Sequence, residues 1–199
     1  MRKIFSFIHG LKIRKQRQMK VRFALMDSVN IFNNHGSEPK LRAIFLDRDG
    51  VINHDPGDYT KHISEFTILP TVLDALKILK ARGFVFILIT NQGGIAKGIY
   101  GHEEVAEIHA YLKRVCEEND TPILDIYYSP HHEVTGKSLS RKPGSLMVER
   151  ACARYNIDPK SSWMVGDKQR DLDCAAVVGV PGVLINPNDP LINYVEKMV

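Results

Sequence analysis

"LRAIFLDRDGVIN", residues 41–53, decides the fold. Strand-forming apolar residues run from Ala43 to Leu46. Asp47 and Asp49 then follow, one residue apart, with Gly50 after them. A buried strand that ends on two carboxylates is holding them at the edge of a sheet. The same alternation continues downstream. "PTVLDALKILKAR" (70–82) sets Val72, Leu73, Leu76 and Leu79 on one helical face, opened by Pro70 and stopped by Gly83. "FVFILIT" (84–90) is a continuous apolar strand of the kind buried on both faces. A helix is predicted at 102–118, a strand at "ILDIYYS" (123–129) and a helix at 144–155, opening at Gly144. A strand at "SWMVG" (162–166), a helix at 168–178, a strand at "GVLIN" (182–186) and a short helix at 190–198 close the chain. Alternating strands and helices predict an α/β fold, a doubly wound parallel five-stranded sheet covered on both faces.

In such sheets ligands bind outside the carboxyl ends of the strands. The residues there are Asp47 and Asp49, then Thr90, Asn91 and Gln92, then Ser129, Pro130 and His131, then Gly166, Asp167 and Lys168. In extended chain, side chains two apart point the same way, so Asp47 and Asp49 can share a site with Asp167. Clustered carboxylates call for a cation, and hard oxygen ligands suit Mg²⁺. Thr90 and the Lys142 of "RKPG" could then hold a phosphate, which together describes phosphoryl transfer. Singly, each element has a duller reading: a turn former, a helix cap, a solvated lysine. Asp171 and Asp173, early in a predicted helix, read as helix-dipole partners. The weight lies in all four elements standing in chain order at strand ends.

Composition sets the frame. The chain has 199 residues, 44% hydrophobic and 25% charged, which suits one ordinary globular domain. No apolar run is long enough for a membrane span. Cys116, Cys152 and Cys174 are scattered, with no CxxC, so a reducing compartment without disulfides is expected. Residues 1–24 hold eight of the 27 Lys/Arg and none of the 23 Asp/Glu, so the remainder carries −4 against +4 for the whole. An acidic body gives no electrostatic footprint for nucleic acid. The basic start (1–40) is expected to be a disordered extension ending in the linker "NNHGSEPK". A membrane-surface helix, a targeting peptide, or sequence upstream of a start at Met19 or Met26 are the alternatives.

The motifs "FLDRDG", "ITNQ", the lysine of "RKP" and "VGDKQRD" together resemble the haloacid-dehalogenase superfamily of phosphatases, over essentially all of 42–199. With "TNQGGIAKG", "SPHH" and "MVGDK", the chain is similar to the heptose-1,7-bisphosphate phosphatases and, next, the histidinol-phosphate phosphatases. The resemblance implies a HAD-like Rossmannoid fold, essentially capless, with loop insertions and a small flap over "NHDPGDY" (53–59). It implies Asp47 as nucleophile, and Asp49 as acid to the leaving oxygen and then base to water. It implies Mg²⁺ on Asp47, the Asp49 carbonyl and Asp167, with Thr90 and Lys142 on the phosphoryl group. Asp55, Asn91, Gln92, Arg141 and Lys168 are the expected substrate contacts, Arg141 with a planar fork suited to a second phosphate. Relatives commonly carry a structural zinc loop before "RKP". Here Ser129, Ser138 and Ser140 stand where cysteines would be, and only His131 remains, so no zinc is expected. The expectation is a cytoplasmic, monomeric, Mg²⁺-dependent phosphatase of a small phosphosugar, heptose bisphosphate before histidinol phosphate. A phosphoacceptor receiver domain and a non-catalytic sugar-phosphate binder are the rivals. The second aspartate of DxDG speaks against the first, and the intact carboxylates and lysine against the second.

Overall fold

Residues 39–199 are described by a computed structural model; the expected N-terminal extension lies outside them up to residue 38. β1 (Arg42–Leu46), β2 (Phe84–Asn91), β3 (Ile123–Ser129), β4 (Trp163–Gly166) and β5 (Gly182–Leu184) form one parallel sheet in the order β3-β2-β1-β4-β5. β1 is central because it is apolar from Ala43 on and can be covered from both sides. Its alternating side chains feed two cores. Ile44 and Leu46 pack with Val72, Leu76 and Leu79 of α1 (Val72–Ala81) and Ile108 and Leu112 of α2 (His102–Glu118). Ala43 and Phe45 pack with Met147, Val148 and Ala151 of α3 (Leu146–Tyr155) and Cys174 and Ala175 of α4 (Gln169–Ala176).

The order of strands creates the site. From β1 the chain moves through β2 to β3 on one side, then returns past β1 to β4 and β5 on the other. Between β1 and β4 the connections leave in opposite directions, which opens a crevice at the carboxyl ends of these two strands. Asp47 follows β1 and Asp167 follows β4, so both stand at that crevice.

Where elements differ from expectation, local bonding explains it. Gly144 does not open α3: its N–H closes a turn on the Arg141 carbonyl at 2.7 Å. The closing segment is a 3₁₀ helix (Leu191–Lys197), in which Asn193 N–H reaches the Pro190 carbonyl three residues back at 3.1 Å. β5 stops at Leu184. Between β1 and α1 the chain forms the expected small flap, tied by single bridges from Asn53 to Asp49 and to Ile68 and carrying one short 3₁₀ turn (Ile63–Glu65).

Phe45 tests the architecture, since it is fully buried in the core under α3 and α4. Phe45→Ala should lose about 3–5 kcal/mol of unfolding free energy in urea titrations. A loss under about 1 kcal/mol would mean β1 does not run through the core.

Candidate active site

The crevice is organised around one buried ammonium group. Lys142 Nζ lies 2.9 Å from Asp47 Oδ1 and 2.6 Å from Asp171 Oδ1, and donates to the Ile89 carbonyl at 2.7 Å. The two carboxylates supply the countercharge and the Ile89 carbonyl the hydrogen bond. Burial works against the charge, but the two carboxylates outweigh it and hold Lys142 above its usual range. Asp47 is fixed from its backbone: its N–H continues the β1–β4 ladder onto the Val165 carbonyl at 2.9 Å. Burial raises the Asp47 carboxyl, with Lys142 opposing and Asp171 adding to the rise. Gly166 is required here, because a Cβ on it would sit 2.2 Å from Asp171 Cβ. Asp171 can reach Lys142 only over a bare strand end.

Among the described residues, Asp47, Asp167 and Asp171 form a cluster whose carboxylate oxygens lie within 4.8 Å of one another. Asp167 Oδ1 is buried with no hydrogen-bond partner, and burial raises its carboxyl. With Asp55 included, four carboxylates here face two ammonium groups, Lys142 and Lys168. Surplus anionic oxygens and an orphaned buried acceptor fit a hard divalent cation such as Mg²⁺. The third carboxylate is Asp171's rather than Asp49's. The strand pleat stops at Leu46 and the chain turns at Gly50, whose φ is +81° and where a Cβ would lie 2.8 Å from Asp167 Oδ2. Asp49 lines the same cavity as Asp47 but its carboxylate stands outside this cluster. Asp171 does cap α4, accepting from Lys168 N–H at 3.0 Å. The helix-dipole reading of it caught this half and missed the buried pair with Lys142.

Asp49 belongs to a second network. Arg48, almost fully buried, reaches both its oxygens at 2.9 Å through Nη2. Asn53 donates to it at 3.0 Å and Gln92 at 3.2 Å. Burial raises this carboxyl, yet Arg48 and these hydrogen bonds together hold it below the ordinary range. Behind Arg48, His109 on α2 stands with Nε2 3.5 Å from Nη1. Burial, and then Arg48, push the imidazole down to about 3.

A cavity of about 120 Å³ opens over these groups, lined in part by Asp47, Asp49 and the flap residues Asp55 and Thr60. Thr90 is buried beside it and accepts from Gln92 Nε2 at 3.0 Å; Gln92 is itself held by Tyr100. Asn91 lines the cavity and bonds the Lys142 backbone in both directions, at 3.0 and 3.1 Å. Lys168 spans Asp167 at 2.9 Å and Asp55 at 3.4 Å. Asn188 ties the Asp55 backbone to the end of the sheet. Arg141 lies apart from the cavity wall: its Nη1 donates to the His131 carbonyl at 3.0 Å and its Nε is 3.7 Å from Glu133. Ser129, Ser138 and Ser140 converge, with hydroxyl separations of 3.2 and 3.0 Å through Ser140. Sequence reasoning passed over Arg48, Asn53 and Tyr100. Only Arg48 left a signal, as a cation placed between the two aspartates of a buried motif.

The HAD-hydrolase-like family model matches residues 139–188. A protein of Haemophilus ducreyi named D-glycero-beta-D-manno-heptose-1,7-bisphosphate 7-phosphatase is 39% identical over 145 residues, 70% of this chain and 79% of that one. The D-glycero-alpha-D-manno-heptose-1,7-bisphosphate 7-phosphatase of Photorhabdus laumondii is 36% identical over 148 residues, 71% of this chain and 80% of its own. Among solved structures, the D,D-heptose 1,7-bisphosphate phosphatase of B. bronchiseptica, complexed with magnesium and phosphate, aligns with a TM-score of 0.70. That pair shares 30% identity, covering 79% of this chain and 85% of the other. No helix among the described residues is long and apolar enough to cross a membrane.

His109 gives a pH test. Its folded value of about 3 lies below the ordinary 6.5, so the unfolded chain takes the proton first as pH falls. Its neutral burial therefore favours folding fully above pH 6.5, and that contribution erodes as pH falls from there toward 3. Urea unfolding of His109→Gln should show a shallower loss of stability between pH 6.5 and 4 than the unsubstituted protein. Parallel curves would mean that His109 titrates alike in both states.

Proposed function

The chain belongs to the haloacid-dehalogenase-like phosphatases, in the heptose-1,7-bisphosphate 7-phosphatase family, and we propose that it hydrolyses the C7 phosphate ester of D-glycero-D-manno-heptose 1,7-bisphosphate through an aspartyl-phosphate on Asp47. The reading places it in the biosynthesis of nucleotide-activated heptose, as a cytoplasmic monomer with its catalytic domain at 41–199. The single observation behind it is the buried Lys142 ammonium, clamped between Asp47 and Asp171 at the switch point of the sheet.

In this mechanism Asp47 attacks phosphorus, and the bond from phosphorus to the sugar oxygen breaks. Lys142 keeps Asp47 oriented and shares its charge with the transferring group. Thr90 supplies a hydroxyl beside Lys142's loop. Asp49 protonates the departing oxygen and later takes a proton from the water that attacks the aspartyl-phosphate. In the resting site Arg48 holds Asp49 ionised, the state suited to the second role. The arriving phosphate dianion raises its proton affinity and so prepares the first. Mg²⁺ would be held by Asp47, Asp167 and the Asp49 carbonyl; when bound it neutralises phosphoryl charge. Asp55, Asn91, Gln92, Arg141 and Lys168 complete the proposed substrate site. Asn91 and Gln92 act mainly by fixing Lys142, Thr90 and Asp49, to which they are bonded.

Phosphate release from a panel of phosphorylated metabolites tests the substrate. Heptose 1,7-bisphosphate should be turned over fastest; faster turnover of histidinol phosphate would replace it. Asp47→Asn should abolish release, because an amide is no nucleophile, and Asp49→Asn should slow it by roughly 10²–10⁴-fold. Residual turnover by the Asp47 variant near the level of the unsubstituted enzyme would remove Asp47 from the nucleophile's role. Chelation should likewise stop turnover and added Mg²⁺ restore it, while metal analysis finds no stoichiometric zinc. Undiminished activity after exhaustive chelation would contradict the cofactor assignment.

A further inference from the structure

Among the residues that line the cavity over Asp47 are four carboxylates, Asp47, Asp49, Asp55 and Asp58, and three cations, Arg48, Lys168 and Arg170. Every carboxylate is paired: Asp47 with Lys142, Asp49 with Arg48, Asp55 with Lys168, and Asp58 with Lys61. Two of the cations are thereby spoken for. Arg170, in the first turn of α4, has no ion pair or hydrogen bond among the described residues, and its Nε is buried without an acceptor. A buried N–H donor left unpaired is costly, and a solvated surface arginine would not hide it. Among the described residues it is the one unpaired cation of the cavity wall.

We propose that Arg170 binds the second, non-transferred phosphate of a sugar bisphosphate and so sets the preference for bisphosphates over monophosphates. This rests on the reading of Asp47 as the phosphoryl-transfer centre. The proposed mechanism assigns Lys142 and Thr90 to the transferred phosphate, so a further unpaired guanidinium on the cavity wall is surplus to one phosphate. Its planar fork can give two parallel N–H···O bonds to a phosphate, with the N-terminal end of α4 adding to the attraction. Arg141 is the weaker candidate for this task, being turned onto the His131 carbonyl and outside the cavity wall. Lys168 is weaker too, since Asp167 and Asp55 already neutralise it.

The test separates binding from turnover. In full-length Asp47→Asn protein, calorimetry gives Kd for heptose 1,7-bisphosphate and for heptose 7-phosphate, with and without a change at Arg170. Arg170→Ala should weaken bisphosphate binding about 10- to 100-fold, the range of a lost charge-assisted contact, and monophosphate binding by less than about threefold. Arg170→Lys should recover part of the loss. Arg141→Ala should affect both ligands alike. Equal weakening of both ligands by Arg170→Ala, no weakening at all, or failure of the parent protein to bind the bisphosphate more tightly than the monophosphate would each overturn the proposal. Thermal melts of the Arg170→Ala and Arg170→Gln proteins check that the fold is intact. Failure of the unsubstituted enzyme to release phosphate would count against the phosphatase reading alone, because the binding comparison does not depend on turnover.

Discussion

Everything at the crevice depends on keeping one ammonium charge dry. Lys142 is buried, and moving such a group out of water costs several kcal/mol even after relaxation. The structure offsets this with two carboxylates and a carbonyl at 2.6–2.9 Å. Each acceptor then imposes its own condition. Asp47 must sit at the end of β1, Asp171 must pass over a strand end with no side chain, and Ile89 must present its carbonyl from β2. Three separate stretches of sequence are thus fixed by one side chain. Removing Lys142 would leave two buried carboxylates facing each other uncompensated, which is far worse than never having built the cluster.

Two neighbouring carboxylates are driven in opposite directions from one motif. Asp47 is raised by burial, while Asp49 is held down by Arg48 and its amide donors. In the resting site this order is the reverse of the one catalysis uses, a bare nucleophile and a loaded proton carrier, so the arriving phosphate has to invert it. The separation is built beneath the cavity. His109 stays neutral behind Arg48, so the guanidinium keeps its full charge for Asp49 and meets no competing cation.

The fold was legible because its signals are long and periodic. β2 is eight residues of apolar chain, and α1 and α2 each carry an apolar stripe. Element ends were less legible, since they rest on individual hydrogen bonds such as Gly144 to Arg141. At the site, the convergence of Asp47, Asp167 and Lys168 followed from the rule that ligands bind at strand ends, while Lys142 sits on a loop and was read from its own motif. Asp171 was misread because a first-turn acid has an adequate local explanation, and its pairing with Lys142 spans a crossover that no local pattern encodes. Asp49 does line the same cavity as Asp47, but its carboxylate is held by Arg48 outside the cluster of Asp47, Asp167 and Asp171.

The loop that carries Arg141 and Lys142 is positioned largely by its bonds to β2. By family resemblance, zinc would brace this loop, and a structural zinc site can contribute on the order of 10 kcal/mol. Here three serine hydroxyls occupy that place, and each hydrogen bond among them is worth only about 1 kcal/mol. Hydroxyls that weak cannot set Lys142 to within a fraction of an ångström. The precision comes instead from β2. Asn91 grips the Lys142 backbone through both its N–H and its carbonyl, and Ile89 takes the ammonium from two residues earlier on the same strand. A strand paired on both sides is the stiffest available reference for a catalytic lysine. Anchored there, Lys142 takes its position from the sheet rather than from the remainder of its loop.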